Sequence, residues 1–198
     1  KSNAGTNAAL RTNNASSTGT LTTRCYNCAF FNLATGDTGG CIRFTARAAG
    51  NSSDVLELNN CSVYTASTSA TGYGIRNYDT VAGHSVTNTN TVVETASATS
   101  NLAFSSAGGG WGTSNYNVAG GPAASNDAPG ANSLSDQTAA QIAYVDKANG
   151  DLHLAAGSVC IDAGILQTSF SVDFEGRPRL LGLWDVGAHE YNPVWLNR

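Results

Sequence analysis

Between positions 162 and 190 the chain gathers Asp162, Asp173, Glu175, Arg177, Arg179, Asp185, His189 and Glu190. Residues of these types can do two kinds of chemistry. Asp173, Glu175 and Asp185 offer the hard oxygen ligands that Ca²⁺ prefers, or two of the carboxyls can work as an acid/base pair across a glycosidic bond. The same residues also serve without any ligand. Arg177 and Arg179 present planar forks that fit carboxylates in pairs, and would pin the terminal segment across the last turn of the fold as a polar cap over an open core. This structural reading needs no further partner and is preferred, so no catalytic, cofactor-binding or metal-binding residue is assigned.

The remaining candidates are weaker. His153 lies between Leu152 and Leu154 in an alternating pattern, pointing outward or satisfying a local hydrogen bond. His84 follows Gly83 in a turn, with no nucleophile arranged around it. The nucleophile elbow G-x-S-x-G is absent, and Gly72-Tyr73-Gly74 and the glycine-rich 108–112 stretch lack the helix and lysine of a phosphate loop. Cys25-Tyr26-Asn27-Cys28 is a lone CxxC without the second pair a structural zinc site requires. Five cysteines cannot all pair within one chain. Cys28 and Cys61 read best as small apolar side chains in an inward column, with a disulfide as the alternative. Arg43 and Arg76, with Arg11 beneath, form a row that reads as surface ion pairs to Glu57 or Asp79. Tyr64, Tyr73, Tyr78, Trp111 and Tyr116 could stack on sugars or join subunits.

What must position these residues is a repeat. Asn27-Cys28-Ala29-Phe30 returns as Asn60-Cys61-Ser62-Val63, and Ile42-Arg43 as Ile75-Arg76, both 33 residues on. Leu10-Arg11 lies 32 before Ile42, and Asn90-Thr91-Val92-Val93 follows Asn60 at a step of 30. Two motifs sharing one period indicate a solenoid, in which each unit buries its apolar face on the next. Each unit holds short strands broken by Gly, Asn, Ser and Thr turns, with no two-residue hairpin signals, so equivalent strands must pair from one turn to the next. Cys41, Arg43 and Thr45 alternate with Ile42 and Phe44, giving a polar and an apolar face. The recurring Asn before Cys suits a tight corner, because Asn tolerates the left-handed conformation and can bond along a ladder of its own kind. Gly36–Gly40 and Gly50–Asp54 read as turns.

Composition agrees. Of 198 residues only 12% are charged, about half the usual share, and Asn, Ser, Thr and Gly supply the polar surface. Such a chain suits turns and sheets and disfavours helical bundles. The net charge of −4, without a basic cluster, excludes a nucleic-acid footprint, and no apolar run approaches a membrane span. The sequence contains no methionine. It is expected to be a processed product or a piece of a longer chain. From about Asn101 the text becomes loop-rich, with one short helix expected over Ser135–Ile142, capped by Ser135 or Asp136.

Asp151-Leu152-His153-Leu154, then Gly157-Ser158 and Ile161-Asp162-Ala163-Gly164, resembles the closing segment of right-handed parallel β-helix repeat proteins. Asp173-Phe174-Glu175-Gly176-Arg177 and Asp185-Val186-Gly187-Ala188-His189-Glu190 continue the likeness, with Glu175 in place of an Asp and Val186 in place of an Ile. The pattern occurs in secreted bacterial surface proteins and in phage virion proteins. Polysaccharide lyases of this fold carry Arg, Lys and acidic residues on one face; here Lys is nearly absent and the carboxylates do not cluster.

The expectation is therefore an all-β, right-handed single-stranded parallel β-helix. Residues 1–105 would form its coils, and 106–198 a loop-rich segment and C-terminal cap packed on the last coils. The resemblance implies a non-enzymatic structural protein on a virion surface, a phage capsid decoration (cement) protein or tail component that stabilises neighbouring subunits. It would be a homotrimer contacting major capsid or tail proteins and surface glycans, with no cofactor, nucleic acid or membrane. The alternative is a polysaccharide lyase, glycosidase or carbohydrate-binding adhesin on the same fold, secreted or at a cell surface.

Overall fold

A computed structural model describes residues 8–14, 20–36, 38, 40–46, 53–79, 84–99, 101–108, 110–123, 125–179 and 182–193. The expected turns at Gly50–Ser52, with Asp37, Gly39, Gly83 and Gly109, lie outside them. Strands β1 (Leu10–Asn14), β2 (Thr22–Tyr26), β3 (Ala29–Asn32), β4 (Ile42–Ala46), β5 (Val55–Asn59) and β6 (Ser62–Thr65) come first. They are followed by β7 (Ile75–Asn77), β8 (Ser85–Thr89), β9 (Val92–Thr95), β10 (Phe104–Ser106), β11 (Val118–Gly120) and β12 (Leu134–Gln137).

These strands build three parallel sheets. The first is ordered β1-β4-β7-β10, the second β2-β5-β8, and the third β3-β6-β9-β11-β12. Through β10 every third strand pairs, so the chain passes through the three sheets in turn and stacks one rung on the next. The register is the one the repeat predicts. Leu10 faces Ile42 and Ile42 faces Ile75, with Arg11, Arg43 and Arg76 beside them. Ser62 faces Val92. The stack runs on past residue 105, since β11 pairs with β9 and β12 with β11.

Inside the three sheets lies a core of Ile42, Phe44, Leu56, Leu58, Val63, Ile75, Val86, Val93 and Phe104. Alternation puts these side chains inward and leaves Arg43, Glu57, Arg76 and Thr87 outward on the first two sheets. Cys41 breaks the expected alternation: it is fully buried just before β4, where a turn rather than a strand sets its direction.

The third sheet differs because part of its outer face is apolar too. Val92 and Val118 point outward and are covered by Ile142, Leu154, Cys160 and Val186, a second core. The covering elements are a four-residue helix α1 (Ala139–Ile142) and an antiparallel hairpin of β13 (Tyr144–Asp146) and β14 (Asp151–Leu154). The helix is shorter than expected and its cap is Thr138. Thr138 and Gln141 form a capping box, whereas Leu134–Gln137 joins the third sheet as β12.

One corner, between the second and third sheets, is built alike on successive rungs. Asn27, Asn60, Asn90 and Tyr116 all have left-handed backbones, with φ of 51°, 51°, 52° and 54°. The Asn90 amide donates to Asn60 Oδ1 at 3.1 Å, so the expected asparagine-to-asparagine bond forms between these two rungs, while the Asn60 and Asn27 amides turn to carbonyls of the C-terminal segment. Asn60→Ala should cost about 2–4 kcal/mol, combining left-handed strain with lost hydrogen bonds. Asn60→Gly removes only the side-chain bonds and should cost roughly half of that, as read by denaturant unfolding.

Candidate functional site

The expected cap across the open end is instead a strap along the side of the stack. Residues 160–179 and 182–191 run over the asparagine corner. Ile165 N donates to Asn90 Oδ1 at 2.9 Å, Asn60 donates to Asp185 O at 3.2 Å, and Asn27 donates to Val172 O at 2.6 Å. Ala188 N reaches Ser62 Oγ at 2.9 Å. Two glycines of the C-terminal pattern allow this approach. A Cβ on Gly187 would meet Ser62 Oγ at 2.7 Å, and one on Gly164 would meet Trp184 O at 2.8 Å.

The charged set holds the strap in shape. Asp173 Oδ1 accepts from the amides of Glu175 and Arg177, each at 2.9 Å, and its Oδ2 accepts from Glu190 N at 3.1 Å. Asp185 accepts from the amides of Asp162 and Tyr191. Both carboxylates thus gather backbone amides of the strap. Arg177 pairs with Glu175 at 2.5 Å. Arg179, with its side chain fully buried, pairs with Glu190 and donates to Gly187 O, Ala188 O and Asn27 Oδ1. The arginine–carboxylate pairing is the expected one, but it fastens the strap to the rung of Asn27 rather than to the last coil. The second sheet's outer corner supplies the groove, and the strap's own turns match it.

The arginine row is also differently partnered. Glu57 pairs with Arg24 at 2.7 Å, and Asp79 pairs with a buried His84. Arg43 lies 4.7 Å over the Tyr78 ring, and Arg76 lies 4.4 Å over Tyr73 and 5.1 Å over Tyr78 while donating to Ser105 Oγ. The row is thus an arginine–tyrosine stack, because outward residues of one sheet face fall beside the chain that leaves β7. His84 is buried against Asp79 instead of lying in an open turn. Trp111 packs edge-on to Phe104, 5.8 Å between centroids.

None of the five cysteines is in a disulfide. Cys28 and Cys61 stack on adjacent rungs, and their thiols donate to Tyr26 O and Cys25 O at 3.3 and 3.4 Å. Burial pushes the Cys160 thiol up to about 12, which makes it unreactive.

Two groupings escaped the sequence reading. The first is a cleft of about 420 Å³ on the third sheet, lined by Tyr64, Glu94, Gly121, Pro122, Asp136 and Lys147. Glu94 is 1% exposed, is paired with Lys147 through Oε1, and leaves Oε2 buried without a partner among the described residues. Burial pushes its carboxyl up, and Lys147 only partly offsets this. Lys147 Nζ also sits 5.4 Å over the Tyr64 ring. Outward phase along β9 was the available signal, since Glu94 follows Tyr64 in register. The second grouping is His153, Glu175 and His189, whose ligand atoms all lie within 4.8 Å of one another. The hydrogen bonding expected of His153 is present, at 2.6 Å to Asp151 and 3.0 Å to Glu175.

The chain matches no protein-family model, no curated protein and no solved structure. Among the described residues no helix is long and apolar enough to cross a membrane.

Two outcomes test this account. Arg179→Ala should cost about 3–5 kcal/mol, because it strands Glu190 in a buried setting, and limited proteolysis should then cut first within 160–191. Glu94 has a raised carboxyl pKa, so the native state holds its proton more tightly than the unfolded chain does. Its stability contribution is present at low pH and lost as pH rises through the raised value. Glu94→Gln should therefore gain on the wild type as pH rises from 4 to 7, in melts run across that range.

Proposed function

We propose that this chain is a right-handed single-stranded parallel β-helix serving as a non-enzymatic structural module on a virion surface. The handedness follows from the general rule that a crossover joining parallel strands of one sheet turns right-handed in nearly every protein. The observation that carries the functional reading is the engagement of Asp173, Asp185 and Arg179 by the strap's own backbone. Groups that would otherwise serve catalysis instead make a stiff, laterally locked rod. The C-terminal pattern resembles that of phage virion β-helices and supports a capsid decoration (cement) or tail component, working as a homotrimer that bridges capsid or tail subunits. The arginine–tyrosine face of the first sheet offers cationic and aromatic groups for a partner surface or glycan.

A second reading is favoured by one observation. Glu94, buried with a raised pKa and lining a cleft shared with Asp136, has the environment of a general acid, so a glycosidase or lyase acting on a polysaccharide is the competing function.

Two measurements separate the readings. Reducing-sugar and unsaturated-uronate assays over a panel of neutral and acidic polysaccharides should give no turnover. Turnover abolished by Glu94→Gln, or by Arg43→Ala or Arg76→Ala, overturns the structural assignment. Sedimentation velocity should give the mass of three chains, and a monomer at micromolar concentration rules out the trimer.

A further inference from the structure

We propose that His153, Glu175 and His189 form a binding site for a divalent transition-metal ion, best matched by Zn²⁺, which fastens the strap to the β13–β14 hairpin. The three come from separate places: His153 from β14, Glu175 from the turn after Asp173, and His189 from the stretch of strap that crosses Ser62. The structure brings them within 4.8 Å at their ligand atoms. Two imidazoles and one carboxylate are a donor set that zinc takes in proteins, with a fourth position for water, and imidazole disfavours Ca²⁺ and Mg²⁺.

The geometry is already close to coordination. Zinc–ligand bonds of about 2.0–2.2 Å in a tetrahedron hold neighbouring ligand atoms roughly 3.3 Å apart. His153 Nε2 and Glu175 Oε2 are 3.0 Å apart. His153 donates from Nδ1 to Asp151 at 2.6 Å and from Nε2 to Glu175 at 3.0 Å, so a metal ion would take the place of the Nε2 proton while Asp151 keeps the ring oriented through Nδ1. A carboxylate behind a ligating histidine is the usual outer support of such a site. The two imidazole rings lie with centroids 3.9 Å apart and planes tilted by 33°.

His189 supplies the independent observation. It is 5% exposed, and its Nδ1 is buried with no hydrogen-bond partner among the described residues. A buried polar atom left unsatisfied costs stability that a ligand would recover. Phe174 closes one side of its ring edge-on at 5.2 Å. Arg177 is the competing group, 2.5 Å from Glu175 Oε2, and the ion would draw Glu175 away from it.

Isothermal titration of the untagged chain with ZnCl₂, CaCl₂ and MgCl₂ tests the site, with Co²⁺ as a spectroscopic probe. Zn²⁺ should bind saturably at one ion per chain and raise the melting temperature, Ca²⁺ and Mg²⁺ should do neither, and Co²⁺ should show the intense visible bands of tetrahedral coordination. Glu175→Gln, at a solvent-facing position that folding tolerates, should weaken Zn²⁺ at least tenfold, as should His153→Gln. Asp151→Asn should weaken it about 10–100-fold. Cys28→Ser should change nothing. Absence of saturable binding overturns the proposal, and so does binding that survives Glu175→Gln and His153→Gln but is lost in Cys28→Ser.

Discussion

The whole molecule hangs on one strained backbone position repeated up the stack. Asn27, Asn60 and Asn90 each adopt a left-handed conformation that most side chains resist by about 1–2 kcal/mol. The sharp turn they make lets the second and third sheets meet without an intervening loop. Their side chains then act twice. Asn90 donates to Asn60 along the column, and Asn90, Asn60 and Asn27 each bond the strap outside it. Asparagine is the residue that serves both demands, since glycine turns the chain but has nothing with which to hold a partner.

The second determinant is the outward valine column of the third sheet. An edge-to-edge stack of parallel strands is stable only if its faces are covered or polar. The first two sheets solve this with arginine, glutamate and threonine. The third presents Val92 and Val118 and so requires the helix, hairpin and strap to cover them. The motif residues of the C-terminal region are the grammar of that cover. Gly164 and Gly187 permit close approach, Asp173 and Asp185 gather amides, and Arg179 closes on the carbonyls of Gly187 and Ala188.

Much of this was legible in the chain, because stacking writes a period into the sequence. The spacing of 33 gives the pairing of Ile42 with Ile75 directly, a step of 32 gives that of Arg11 with Arg43, and the corner asparagines announce their own conformation. The period says nothing about segments that do not repeat. Nothing in this segment states whether it lies across an end or along a side, since that depends on corner residues 75 to 152 positions earlier. The arginine row was visible and its partners were not: Glu57 is claimed by Arg24 on another sheet, and the neighbours of Arg43 and Arg76 are tyrosines. His153, Glu175 and His189 carry no spacing signal at all, because the strap brings Glu175 and His189 to the hairpin strand that holds His153.

The strap also sets an order of events. Arg179 and Asn27 are 152 residues apart, as are Val172 and Asn27 at 145. Contacts of that separation close late, after loop entropy has been overcome by everything between them. The rungs must therefore assemble before the strap can seat, and once seated it has to lift before the early rungs can unroll. Interactions that form after the folding barrier slow unfolding rather than speed folding. The side strap thus makes persistence, more than equilibrium depth, the property that this architecture delivers.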